Sequence, residues 1–126
     1  MKEYEKWFKK AEQDLFVIKN IINISDAPYE ICCFHAQQAA EKYLKAYLTA
    51  HNIDFLKTHM LFVLVKQCVD CNKRFLDILS NSKKLENFAV TPRYPDEIED
   101  LTLFDAQQAY QNALTIKEFV ITHFFD

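Results

Sequence analysis

"CFHAQQAAEKYLKAYLTA", residues 33–50, decides the architecture. At 100° per residue, Ala36, Ala39, Ala40, Tyr43, Ala46, Tyr47 and Ala50 share one broad apolar face. Gln38, Glu41, Lys42, Lys45 and Thr49 take the opposite side, with His35 at the boundary. Small alanine side chains let neighbouring helices come close, so this helix belongs at the centre of a bundle. Upstream, Ser25-Asp26-Ala27-Pro28 breaks the pattern; Asp26 suits a cap and Pro28 a first helical turn. Downstream, Asn52 tolerates the left-handed position that ends a helix when no glycine is available. The segment between these breaks is about 35 Å long at ~1.5 Å per residue.

Six letters of this stretch return later. FHAQQA at 34–39 is matched by FDAQQA at 104–109, with Asp105 in place of His35. Ala106, Ala109, Ala113 and Val120 again fall inward while Gln107, Gln108 and Gln111 fall to the side, so the echo reports similar packing. Beyond it the two sequences diverge, which argues against an internal duplication. An earlier helix is marked by Tyr4, Trp7, Phe8, Ala11, Leu15, Ile18 and Ile22, recurring every three or four residues. Thr58 is placed to cap a third helix through Val69, and the Asn72 region separates it from a fourth, Arg74 to Leu79, with a short further turn at Leu85 to Phe88. TPRYPD, residues 91–96, is non-helical because each proline pushes its preceding residue to extended geometry. The last helix starts near Thr102, with Asp105 three residues on as an imperfect capping box, and runs to about Phe124. No segment shows the period-two alternation of a strand. The expected fold is all-α: one domain, residues 1–126, forming an antiparallel up-and-down bundle of four long helices plus a short extra helix.

Composition agrees with this reading and removes several functions. A chain of 126 residues can bury roughly two-thirds of its unfolded surface, enough for a core without staples. Glycine is absent altogether, which disfavours tight turns and favours long helices. A net charge of −3 gives the whole molecule no general attraction for nucleic acid or anionic membrane. The opening MKEYEKWFKK has no apolar signal region, and the apolar runs are too short to span a bilayer, so the expectation is a cytoplasmic protein with no membrane partner. Cys68 and Cys71 stand at C-x-x-C spacing, but that is also the i, i+3 step of a helix, and Cys32-Cys33 lies inside another helical pattern. They read as small buried hydrophobes, with no metal site and no cofactor. The sequence carries no P-loop, nucleophile elbow or helix-borne His-x3-His pair.

The order of motifs carries a resemblance. W-x3-A-x2-D-L at Trp7, Ala11, Asp14 and Leu15 precedes the long string from Cys33 to Ala46. T-H-x-L at Thr58, His59 and Leu61, and R-Y-P-D at Arg93 to Asp96 before the final helix, complete a pattern that resembles the HEPN domain family over nearly the whole chain. The resemblance implies a helical bundle that forms a homodimer, often encoded beside a minimal nucleotidyltransferase in a two-component, toxin–antitoxin-like pair. Many such proteins are metal-independent ribonucleases using R-x4–6-H; others are described as nucleotide-binding or non-catalytic. Here neither Arg74 nor Arg93 is followed by histidine at that spacing. Lys45 to His51 and Lys117 to His123 have the separation with lysine instead, and a flexible point charge is a poor substitute for a guanidinium fork. The expected role is therefore a non-catalytic nucleotide-binding or interaction module with no catalytic residue. The alternative is a metal-independent ribonuclease with a displaced active site built from His35, His59 and Arg93.

Two surfaces supply candidate nucleotide or partner contacts. In the proline-bracketed loop, Arg93 can meet phosphate, Tyr94 offers a stacking face and Asp96 a carboxylate; equally, Arg93 can pair with the acidic run that follows it. His35, Gln38, Lys42 and Lys45 form a polar strip on the second helix, and His59 stands at the start of the third. A histidine among alanines is ordinarily a hydrogen-bonded interior or interface residue, so each has a structural reading beside the functional one. Residues 57–93 carry an excess of Lys and Arg and are followed by Asp96, Glu97, Glu99 and Asp100, a split suited to a charged partner or a second copy. Phe34, Phe62, Phe104, Phe119, Phe124 and Phe125 exceed what a thin bundle readily covers, which points some of them at a two-fold contact.

Overall fold

A computed structural model describes residues 1–88 and 100–126. Among them every regular element is helical: α1 Glu3–Ile21, α2 Tyr29–Ala50, α3 Leu61–Cys71, a 3₁₀ segment Lys73–Ile78, α4 Leu79–Glu86 and α5 Leu103–Thr122. α2 is the central element, in contact with α1, α3, α4 and α5. Its alanine face explains this: Ala36, Ala39, Ala40 and Ala46 are fully buried, along with Tyr43, Leu44, Tyr47 and Leu48.

Side-chain pairs give the directions. Asp14 meets Lys42, Glu12 meets Tyr43 and Trp7 stands near Lys45, so α1 and α2 are antiparallel. Phe75 packs on Phe119 while Asn81 reaches Asn112, which sets the 3₁₀–α4 segment antiparallel to α5. Residues 51–60 carry the chain back along α2, so His59 reaches Glu41 while Cys71, at the far end of α3, accepts a hydrogen bond from the Tyr47 hydroxyl at 3.3 Å.

The helix ends show where local chemistry was readable and where tertiary contacts took over. Asn52 is left-handed, φ 59°, and the Ile53 amide closes the end of α2 on the Leu48 carbonyl at 2.9 Å. Thr102 and Asp105 form the capping box of α5: the Asp105 amide donates to Thr102 Oγ1 at 3.2 Å and the Thr102 amide to Asp105 Oδ2 at 2.9 Å. Asp26 is not a cap. It takes φ 57° in the turn, as a short polar side chain can where glycine is missing, and Pro28 stands just before the first helical residue. Thr58 does not cap α3 either, because its hydroxyl accepts the Met60 amide in a local turn and the helix begins three residues later. The α3 amide of Phe62 donates instead to Glu86 Oε1, 2.8 Å away at the end of α4. The expected helix from Arg74 to Leu79 is a 3₁₀ segment that leads straight into α4, which also replaces the expected turn at Leu85. Phe75 and Ile78 are buried three residues apart, the period of a 3₁₀ helix, and Leu85 continues the buried side.

A three-way polar link ties α1 to both long neighbours. Tyr43 donates a hydrogen bond to Glu12, and Lys117 from α5 approaches the same carboxylate at 2.8 Å. Burial alone would raise the Glu12 pKa, but the bonds from Lys117 and Tyr43 and the Lys117 charge hold it below its ordinary 4.5. A carboxylate depressed in the folded state contributes stability that is present above the unfolded pKa and lost as pH falls through the folded value. Tyr43→Phe keeps the buried ring and removes one donor; its expected cost is about 1 kcal/mol at pH 7. The cost should shrink as Glu12 protonates. Urea unfolding of both proteins from pH 7 to pH 3 checks this, and parallel curves would show that the hydroxyl does not act through Glu12.

A polar strip along the second helix

Asp14 lies inside the apolar stripe of α1, between Ala11 and Leu15, and is only 6 % exposed. A carboxylate there needs partners, and α2 supplies two. His35 Nδ1 is 2.8 Å from Asp14 Oδ1, and Lys42 Nζ is 2.6 Å from Asp14 Oδ2. His35 and Lys42 are two turns apart, about 10 Å along a helix axis, so one carboxylate draws together the tips of side chains whose backbones are well separated. Glu41, 4 % exposed, repeats the arrangement one step along. Lys45 Nζ lies 3.1 Å from its Oε2 and His59 Nδ1 3.1 Å from its Oε1. Lys45 is further held over the rings of Phe55 and Trp7, at 5.0 and 5.5 Å from their centroids.

The strip expected from the sequence therefore divides into two clasps, with Gln38 on the helix between His35 and Lys42 of the first. His35 joins Lys42, and Lys45 joins His59; no described hydrogen bond links one clasp to the other. Glu41 was expected on the solvent side and is buried, because residues 51–60 fold over it and bring Phe55 and His59. With neutral imidazoles, the charges of Lys42 and Lys45 are balanced by Asp14 and Glu41. Each imidazole meets its carboxylate through Nδ1, which leaves Nε2 for another partner.

Asp14 and Glu41 are the site residues that sequence reasoning did not single out as contacts. The signal for Asp14 was present, as an acid at a buried register of an otherwise apolar stripe. Glu41 gave no such signal, since its burial comes from a loop. Arg93, Tyr94 and Asp96 lie outside the described residues.

Other titratable groups serve packing. His51 Nε2 donates to the Phe124 carbonyl at 2.8 Å, Lys117 goes to Glu12, and His123 pairs with Asp126, so the lysine–histidine pairs at R-x4–6-H spacing do not act as units. Burial pushes the Cys33 thiol up to about 12 and Cys68 upward as well, as expected for inert small hydrophobes; all four cysteines are free thiols, but Cys71, expected to be buried with the others, is exposed at the end of α3. Among the described residues, no three His, Cys, Asp or Glu side chains are grouped to hold a metal ion, and no helix is long and apolar enough to cross a membrane. Of the phenylalanines expected at a two-fold contact, Phe124 is buried and Phe119 packs against Phe75, whereas Phe34, Phe104 and Phe125 are exposed.

The described elements define a helical bundle whose central helix presents a histidine and two lysines anchored on carboxylates. The sequence model of the HEPN domain matches residues 4–123, and the chain belongs to this family. It is 27 % identical to the Methanocaldococcus jannaschii protein named "Putative toxin MJ1304", over 94 % of this chain and 86 % of the relative. Two crystal structures share the fold. One, an archaeal HEPN homologue named ST0689, is 29 % identical with a TM-score of 0.77, covering 98 % of this chain and 99 % of that one. The other, TT1696 from Thermus thermophilus, is 26 % identical with a TM-score of 0.77, covering 97 % of this chain and 98 % of that one.

Proposed function

We propose that this HEPN protein is a non-catalytic nucleotide-binding or interaction module, a cytoplasmic homodimer that partners a minimal nucleotidyltransferase in a toxin–antitoxin-like pair. Family membership and the toxin named among its relatives support the two-component setting. The observation that carries the binding role is the α2 strip, where two buried carboxylates hold the half-buried His35, Lys42 and Lys45 before any ligand arrives, with the exposed His59 meeting Glu41 from the following connection. Such preorganisation lowers the ordering cost of binding. Gln38, and from the sequence Arg93, Tyr94 and Asp96, extend the candidate contacts. The absence of R-x4–6-H from the sequence favours binding over cleavage.

Calorimetry against ATP, GTP and a short single-stranded RNA tests this, with Arg93→Ala and Lys42→Ala as variants. Saturable binding weakened about tenfold or more in either variant is the expected result, the size of one charge-assisted contact. Absence of binding to all three by folded protein would leave only a partner-docking role. A second reading, a metal-independent ribonuclease with a displaced site, is favoured by one observation: the buried Asp14 orients His35 as a carboxylate orients a general base. RNA cleavage lost in both His35→Ala and His59→Ala would establish it.

A further inference from the structure

We infer that His35 Nε2, set by Asp14, reads a ribose hydroxyl, so that the strip selects ribonucleotides over their deoxy counterparts; this rests on the nucleotide-binding reading above. A carboxylate flanked by an ammonium group only accepts hydrogen bonds. Asp14 Oδ2 takes Lys42 at 2.6 Å, and because Oδ1 can only accept, its 2.8 Å approach to Nδ1 of a neutral His35 ring assigns the proton to Nδ1. Nε2 is then a lone pair, and no described hydrogen bond occupies it. A lone pair repels phosphate oxygens and attracts O–H.

Phosphate has a different place to go. An ammonium group offers three donors, of which Asp14 takes one from Lys42, so this cation retains donors at the same carboxylate that His35 meets. Phe34 stands edge-on to the His35 ring, 5.4 Å between centroids, and is 43 % exposed, which leaves an aromatic surface next to the acceptor. An acceptor for a hydroxyl, a cation for phosphate and an open ring for a base are the three parts of a ribonucleotide.

The test is calorimetry at pH 8 with ATP and GTP against their 2′,3′-dideoxy forms. Wild type should bind the ribonucleotide about tenfold tighter, the value of one net hydrogen bond at a partly exposed site. His35→Phe should bring the two affinities together, the ratio of ribo to dideoxy binding falling to about one. Asp14→Asn, which can reverse the tautomer, should also reduce the ratio, and the ¹⁵N resonances of the His35 ring report that reversal independently of binding. Saturable but equal binding of ribo and dideoxy forms by wild type would overturn the inference and leave the nucleotide reading intact. Binding of neither form would overturn both.

Discussion

Phe124→Ala is expected to destabilise the fold by about 3 kcal/mol, within the range for emptying a buried aromatic site. Phe124 follows the last turn of α5 and is 3 % exposed, although it stands only two residues before Asp126. Its ring lies 5.0 Å from both Tyr4 and Phe8 of α1 and 6.1 Å from Tyr47 of α2, so one side chain joins three helices. His51 fixes the same residue through its carbonyl. Truncation leaves a cavity that rigid aromatic neighbours collapse into only partly, which adds a cavity term to the lost transfer energy. The expected fall in Tm is about 10 °C for a domain of this size. Phe125→Ala is the control. Phe125 is 83 % exposed, and its truncation should change stability by less than about 0.5 kcal/mol. Urea midpoints of the two variants decide the matter, and comparable losses would mean that Phe124 does not seal the core.

The same pair of residues shows what was legible in the sequence. Adjacent phenylalanines at the end of a helix carry no periodicity, and both were candidates for a two-fold contact; only the returning ends of α1 and α2 separate one as core and the other as surface. Where periodicity was strong it was sufficient. The stripe from Tyr4 to Ile22 and the alanine face of α2 place those helices and their buried sides, because a 3.6-residue repeat needs no information from elsewhere in the chain. Caps were legible when the partner lay within the same turn, as for Thr102 and Asp105, and failed for α3, whose Phe62 amide is satisfied by Glu86. The opening echo is resolved in the same way. His35 and Asp105 occupy equivalent letters, yet Asp105 caps its own helix while His35 reaches across to Asp14. Of the candidate site, the cations and imidazoles could be named from one face of α2. The carboxylates that organise them could not, since Asp14 is on another helix and Glu41 is buried only after residues 51–60 return.

Asp14→Ala is expected to cost about 2 kcal/mol, less than a fully buried pair because Lys42 keeps some contact with water. The loss is asymmetric. Removing the carboxylate takes from the Lys42 ammonium and the His35 ring the acceptor that they share, so the cost is chiefly that of partners left half-buried without it. Replacing both members with apolar side chains tests that origin: Asp14→Leu combined with Lys42→Met fills the same space and strands no charge. The double variant should recover most of the stability lost in Asp14→Ala, with His35 the only polar group left to find water. Urea unfolding of wild type, the single variant and the double variant gives the comparison. If Asp14→Ala is neutral, the carboxylate is hydrated and the clasp does not hold α1 on α2. If the double variant is as stable as wild type but no longer binds nucleotide or partner, the fold does not require charge at this position. The polar character of the strip would then be explained by what it binds.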